Sequence, residues 1–134
     1  MLRRTLAGGL ALAAAGLALI AGPAAHADLD HDLDLKAPYA RAAAIVDPDG
    51  RLNNGKNIMK TWKADTGRYC VQVDYSVDVR ESLIQITPRH ALRLPHIANR
   101  NPSTTCHRVN TITVNVYDTN TGRLADSGFD LSIS

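Results

Sequence analysis

One stretch decides the fold class: Thr111-Ile112-Thr113-Val114-Asn115-Val116-Tyr117, in which polar and apolar side chains alternate without a break. A period of two residues is that of a β-strand, so its isoleucine and valine side chains share one face. Phe129, Leu131 and Ile133 repeat this period after a turn at residues 118–122. No stretch of residues 28–134 carries a convincing 3.6-residue period, so the domain is predicted to be all-β.

Upstream of this strand, short apolar runs alternate with turn sequences. Asp47-Pro48-Asp49-Gly50 ends the first run, because proline fixes φ and glycine accepts a positive one. Asn53-Asn54-Gly55 is interpreted as a second turn, and Pro88 closes a later run. The upstream strands are predicted at residues 42–46, 57–63, 68–75 and 82–87. With the two strands above, they predict a small antiparallel β-sandwich or barrel of about six strands.

The first 27 residues have the three parts of a secretory signal peptide. Arg3 and Arg4 make a basic start, residues 10–21 are apolar, and Ala25-His26-Ala27 offers small residues to a signal peptidase. A membrane anchor is the alternative, but an apolar helix of this length spans only about 18 Å. Residues 1–27 are therefore predicted to be cleaved. The mature chain is predicted to be secreted and extracellular, with no transmembrane segment.

The leader also accounts for the net charge. The 134 residues include 15 Lys+Arg and 13 Asp+Glu, a formal charge of +2. Without Arg3 and Arg4 the two counts are equal, so the mature chain is neutral. The charge therefore gives no reason to expect nucleic-acid binding.

The mature chain begins with aspartates at every second position from 28 to 34. Residues 28–38 are therefore predicted to be an acidic flexible tail, and residues 39–134 a single β-rich domain. The aspartate spacing is partly that of a calcium loop. Such a loop needs Gly at its sixth position and Glu at its twelfth, where this stretch has Leu33 and Tyr39. Calcium binding of that type is rejected.

Two cysteines, Cys70 and Cys106, are the only ones in the chain. An oxidising exterior favours their pairing, and neither lies in a Cys-x-x-Cys pattern that would indicate a redox pair. The sequence therefore predicts one structural disulfide.

Residues 88–108 are interpreted as one long loop, because three prolines and a polar run interrupt any strand pattern. A connection of about 20 residues in a small domain is usually functional or disordered. No acidic residue lies between Glu81 and Asp118, so the loop is basic. It is interpreted as the contact for an anionic partner, and the alternative is an ordinary solvated loop. The predicted contact residues are Arg89, His90, Arg93, His96, Arg100, His107 and Arg108.

The sequence indicates no catalytic, metal or cofactor site. The spacing of His90, His96 and His107 matches no short zinc pattern. No Gly-x-Ser-x-Gly stretch or phosphate-binding glycine loop occurs. The chain is therefore predicted not to be an enzyme.

The aromatic residues bear on recognition, because exposed rings would support binding to sugars or surfaces. Tyr69, Tyr75, Tyr117 and Phe129 fall on or beside apolar strand faces, so they are predicted to lie in the core. Trp62 shares a face with Ile58 and is interpreted as a core anchor.

Several short patterns carry a family resemblance over residues 40–134. They are residues 44–52 (Ala-Ile-Val-Asp-Pro-Asp-Gly-Arg-Leu), 66–71 (Thr-Gly-Arg-Tyr-Cys-Val), 114–118, 122–126 and 129–131. With these patterns the chain resembles a group of small secreted actinobacterial proteins of unknown function. The resemblance implies a secreted β-sandwich-like domain and supplies no catalytic residues. The chain departs from the group in its cysteine within the Gly-x-Tyr strand and in its longer His/Arg loop.

The function predicted from these observations is that of a secreted binding or cell-surface interaction module. Its partner would be an anionic cell-envelope polymer or another secreted protein. One alternative is an inhibitor of a secreted hydrolase that presents the 88–108 loop, with the Arg93-Leu94 bond or a neighbouring one as bait. A further alternative is a small hydrolase that uses His90 or His107.

Overall fold

The computed structural model describes residues 35–134, and this part of the chain is all-β with no helix. Its eight strands are β1 (Ala42–Val46), β2 (Leu52–Lys56), β3 (Ile58–Asp65), β4 (Arg68–Val73), β5 (Ile84–Pro88), β6 (Arg93–Asn99), β7 (Thr111–Asp118) and β8 (Phe129–Ile133). They form two four-stranded antiparallel sheets, with the orders β2-β1-β8-β5 and β3-β4-β7-β6. The all-β fold is confirmed, with two sheets sharing one core as in a sandwich.

The core lies between the sheets, where the alternating strands turn their apolar faces toward one another. The inner strands β1, β8, β4 and β7 supply most of it, because an inner strand has neighbours on both sides. Its largest fully buried side chains include Tyr69, Phe129, Ile112 and Ile133. The rings of Tyr69 and Phe129 meet edge to face, with their centroids 5.5 Å apart. The core positions predicted for β7 and β8 are therefore confirmed.

The outer face of the β3-β4-β7-β6 sheet is also partly covered. Residues 100–110, here called the covering segment, cross it between β6 and β7. The Cys70–Cys106 disulfide, with Cα atoms 5.7 Å apart, joins this segment to β4. Further bonds run from Gln72 Nε2 to the carbonyl of Val109 (3.2 Å) and between the Ser103 and Thr113 hydroxyls (3.0 Å). The predicted disulfide is thus confirmed, and its place explains why polar residues of β4 and β7 are buried.

The number of strands differs from the six expected. β2 contains Asn53-Asn54-Gly55, a sequence that is typical of a turn and was predicted to be one. β2 is an edge strand that pairs with β1 alone, so it needs neither two apolar faces nor strong β-propensity.

β6 is the second unexpected strand, and it replaces much of the predicted 88–108 loop. Its Pro95 lies opposite Val116 of β7. Proline cannot donate to a ladder, but an edge strand such as β6 has one side without a neighbour, where the missing N–H costs nothing. Residues 88–108 are therefore the end of β5, a short turn, β6 and most of the covering segment. The prediction of a single long loop was therefore wrong.

The beginning of the described chain lies against the first sheet. Leu35 and Ala37 are half-buried and line a groove of about 170 Å³ with Ala43, Ile45 and other residues of β1, β5 and β8. The carbonyl of Ala37 accepts a hydrogen bond from Lys56 Nζ (3.2 Å). The end of the predicted tail, residues 35–38, therefore packs on the domain. The predicted leader and the rest of the tail, residues 1–34, lie outside the described residues.

The β3–β4 hairpin depends on Gly67, whose φ is +67°. A Cβ at this position would lie 2.7 Å from the Ala125 nitrogen and 2.8 Å from the Val116 oxygen. The Gly67 N–H donates to Asp126 Oδ1 (2.7 Å), and its carbonyl accepts from the Val116 N–H (2.8 Å). The hairpin turn is thereby fixed against β7, which sets the register of the strands that carry the candidate site.

Within residues 35–134, no helix has the length and apolar character needed to cross a bilayer.

Candidate binding surface

Two of the predicted contact residues, Arg89 and His90, lie together after β5. They line a cleft of about 290 Å³ with Asp47, Asn53 and residues 127–128. Arg89 Nε is 3.6 Å from Asp130 Oδ1, and both side chains are half exposed. Asp47 and Asp130 therefore offset the positive charge at this end of the molecule.

Arg93 does not offer a free guanidinium. Its Nη1 lies 2.9 Å from Asp118 Oδ2, and its Nε donates to the Asp126 carbonyl at 3.2 Å. The backbone N–H groups of Asn120 and Thr121, followed by Arg93 itself, lower the pKa of Asp118. Arg93 and Leu94 are also paired with β7, so the bond between them lies within a β-ladder and not on a projecting loop. The alternative of a hydrolase inhibitor stays a prediction.

Arg100 is likewise bound within the domain, because its Nη1 donates to the Ser82 carbonyl at 2.8 Å. It ties the start of the covering segment to Ser82, two residues before β5. Arg93 and Arg100 are therefore structural residues, and the seven predicted contacts do not form one surface.

The other three predicted contacts belong to the outer face of the β3-β4-β7-β6 sheet and its covering segment. His96 is exposed on β6, and its ring lies parallel to that of Tyr117, with centroids 5.2 Å apart. His107 and Arg108 are exposed and follow Cys106 in the covering segment. Arg108 Cζ lies 5.7 Å from the centroid of the Trp62 ring. The disulfide thus holds His107 and Arg108 at the sheet.

Two basic residues that sequence reasoning missed join them. Lys60 lies opposite Gln72 on the outer face, and its Nζ is 5.6 Å from the Trp62 ring. Arg68 begins β4 on the same face. The five residues of this basic face are Lys60, Arg68, His96, His107 and Arg108. Within residues 35–134, the strand register places one carboxylate on this face, that of Asp65, which pairs with Arg68 after a register shift between Lys63 and Asp65.

The strand register aligns four polar residues across the basic face. Asp65 of β3 pairs with Arg68 of β4, Arg68 with Asn115 of β7, and Asn115 with His96 of β6. We call these four residues the polar row. Arg68 Nε and Asn115 Oδ1 are buried and have no hydrogen-bond partner among the described residues. A buried polar atom without a partner costs about 1–3 kcal/mol, so a ligand group that reached either atom would be stabilised there.

The aromatic residues divide between core and surface. Tyr69 and Phe129 are fully buried, as predicted. Tyr75 is 63% exposed, so its predicted place in the core was wrong. Trp62 and Tyr117 are half-buried on the outer face of the second sheet and not between the sheets. For Tyr117 the sequence carried this signal, because it lies out of phase with the core residues of β7. Trp62 has the parity of Ile58, and it is the register shift between Ile58 and Lys60 that turns it to the outer face.

Tyr69 connects the core to the cleft beside Arg89. Its hydroxyl donates to the Pro48 carbonyl (2.7 Å) and accepts from the Ser127 N–H (3.1 Å). Burial raises the pKa of Tyr69 to about 12, against 10 for an ordinary tyrosine. The neutral phenol is thus favoured in the folded state.

Tyr69 is expected to make the fold sensitive to alkali. Because its pKa is higher folded than unfolded, its contribution is complete below pH 10 and is lost as the pH rises toward 12. Tyr69→Phe should lower the free energy of unfolding by about 1–3 kcal/mol at neutral pH, since Ser127 N–H and Pro48 O lose their partner. Urea unfolding at several pH values checks both effects. An unchanged alkaline loss in the variant would contradict the assignment to Tyr69.

The described residues contain no group of three or more His, Cys, Asp or Glu side chains placed to hold a metal ion. Comparison with family models, with curated proteins and with solved structures finds no match to this chain. The resemblance to secreted actinobacterial proteins therefore stays a prediction.

Proposed function

We propose that the protein is an exported binding module that holds an anionic polymer of the cell envelope against its basic face. The single observation that carries this proposal is the grouping of Lys60, Arg68, His96, His107 and Arg108 on one side of one sheet. No catalytic step is part of it. Export is supported by the disulfide, which persists in oxidising surroundings.

The charges of the basic face are available to a partner. Arg68 takes part in none of the four ion pairs found among residues 35–134. Lys60 and Arg108 lie near the Trp62 ring, which holds a cation without neutralising it. A field of one sign attracts a polymer of the opposite sign, and salt weakens this attraction.

The cleft beside Arg89 and His90 is a weaker candidate for an anion. Asp47 lines it, and Asp130 lies within 3.6 Å of Arg89. An anionic partner there would have to compete with two carboxylates of the protein. The proposal therefore keeps His96, His107 and Arg108 from the predicted contacts and adds Lys60 and Arg68.

The double variant Lys60→Gln/Arg108→Gln tests the proposal by retention of the full chain on dextran sulfate resin. Each basic residue near an anionic surface contributes about 1 kcal/mol. The pair should therefore weaken binding roughly 30-fold, seen as elution at lower salt.

The matched control is Lys36→Gln/Arg41→Gln, which removes the same charge from two exposed residues before the first strand. It should elute close to the unaltered protein. Equal elution of both double variants would mean that retention follows net charge alone, and the proposed face would be rejected.

A further inference from the structure

We infer that the partner is an acidic saccharide whose sugars carry a carboxylate next to a hydroxyl, and that it binds along the polar row. This inference rests on the proposed function, because it names the ligand class of the same face. The observation behind it is the pair of unpartnered buried atoms, Arg68 Nε and Asn115 Oδ1, on neighbouring strands.

The two atoms need hydrogen-bond partners of opposite kinds, because one is a donor and the other an acceptor. Arg68 Nε is a donor in a permanently charged guanidinium, and it needs an acceptor, best an anionic oxygen. Asn115 Oδ1 is an acceptor, and it needs a donor. Their strands are about 4.8 Å apart, so one small group of atoms can serve both.

This requirement separates the anionic polymers. In a densely sulfated polymer the sulfate groups replace the hydroxyls and offer acceptor oxygens alone, so they would satisfy Arg68 and leave Asn115 Oδ1 unpaired. A uronic acid has a carboxylate for Arg68 and a neighbouring hydroxyl that can donate to Asn115. A ligand that leaves a buried polar group unpaired binds more weakly than one that pairs it, and this difference is the source of specificity.

The ends of the polar row add two further features. His96 is exposed at one end and lies flat on Tyr117, with an interplanar angle of 10°. This stack offers a planar surface for the apolar side of a sugar ring. Asp65, at the other end, can accept a hydrogen bond from a sugar hydroxyl, and its charge directs the carboxylates of the neighbouring sugars away from that end of the row.

The ligand class is tested by calorimetric titration of the full chain with a galacturonic acid trimer. A neutral galactose trimer is the comparison for the carboxylate, and dextran sulfate is the comparison for charge alone. We expect the galacturonic acid trimer to bind at least tenfold more tightly than the neutral trimer.

Two variants test the residues without altering net charge. Arg68→Lys keeps the charge and loses the Nε donor, and Asn115→Leu removes the acceptor at similar size. Each should weaken binding of the galacturonic acid trimer about tenfold or more, since a hydrogen bond to a charged group is at stake for Arg68. Retention on dextran sulfate should change little in Asn115→Leu, because sulfate has no donor for Asn115 Oδ1. Arg41→Lys is the matched control and should leave both readouts unchanged.

The possible failures are distinguishable. Unchanged trimer affinity in both variants, or equal affinity for the acidic and neutral trimers, would overturn the acidic-saccharide inference. The proposed function would survive that result if Lys60→Gln/Arg108→Gln still lowered retention on dextran sulfate.

Asn115→Leu should also leave the urea midpoint the same or higher, because it removes an unpaired buried atom. A lower midpoint would show that Asn115 has a structural partner, which would also overturn the inference.

Discussion

Replacing both cysteines, as Cys70→Ala/Cys106→Ala, is expected to lower the free energy of unfolding by about 4 kcal/mol. The disulfide closes a loop with a sequence separation of 36 residues, and removing it restores that loop's freedom to the unfolded chain. Both cysteines are fully buried, so the change also loses packing between the covering segment and the second sheet. The measurement is urea unfolding of the full chain, with fluorescence of Trp62 as the probe.

Ser103→Ala is the control for this first prediction. It removes the hydrogen bond to Thr113 and the one from the Cys106 N–H, but it keeps the disulfide. Its expected cost is about 1 kcal/mol. If the double cysteine variant lost no more than the serine variant, the non-covalent contacts alone would be holding the covering segment.

The disulfide also bears on binding. Cys106 lies two residues before Arg108, which it holds close to Trp62. A covering segment released from β4 would no longer hold His107 and Arg108 at the sheet. The cysteine variant should therefore lose retention on dextran sulfate even where it remains folded.

Phe129→Ala is expected to cost about 3–5 kcal/mol, the range for removing a buried aromatic side chain. Phe129 begins β8 opposite Val46 of β1 and Pro88 of β5, and its ring meets Tyr69 of the other sheet. It thereby joins three strands of one sheet to the second sheet. A domain of about 100 residues has roughly 5–15 kcal/mol of stability in total, so much of the protein should be unfolded at moderate urea.

The control for Phe129 is Leu83→Ala, because Leu83 is 62% exposed and precedes β5. That change should alter the free energy of unfolding by about 0.5 kcal/mol or less. Similar losses in the two variants would mean that the cavity left by Phe129 is refilled by its neighbours, and that the core is less closely packed than the structure has it.

The strands that could be predicted are those whose pattern is local. β7 and β8 have one face in the core, and an alternating side-chain pattern is written directly into the order of their residues. β2 and β6 could not be predicted in this way. Each is an edge strand, and the Asn-Asn-Gly sequence of β2 and Pro95 of β6 are tolerated only because one side of the strand has no neighbour.

The candidate site was only partly predictable for a related reason. The sequence identified an acid-free stretch and its arginines and histidines, but the partners of each charge come from distant parts of the chain. Arg93 forms an ion pair with Asp118, and Arg100 donates a hydrogen bond to the carbonyl of Ser82. Neither pairing follows from composition, because the partners are far apart in the sequence. Only the alignment of the strands brings each arginine to its partner, and the arginine is then no longer free to bind a ligand.

The sequence by itself determined the all-β class, the phase of the inner strands and the disulfide, because each depends on residue type and short spacing. Only the tertiary structure decided that Arg68, Asn115 and His96 lie side by side, since strand register joins residues far apart in the chain. It likewise decided that β6 replaces a loop and that the covering segment carries Arg108 to Trp62. Surface chemistry in a β-sandwich is a property of pairing between strands, and pairing is not a local property of the sequence.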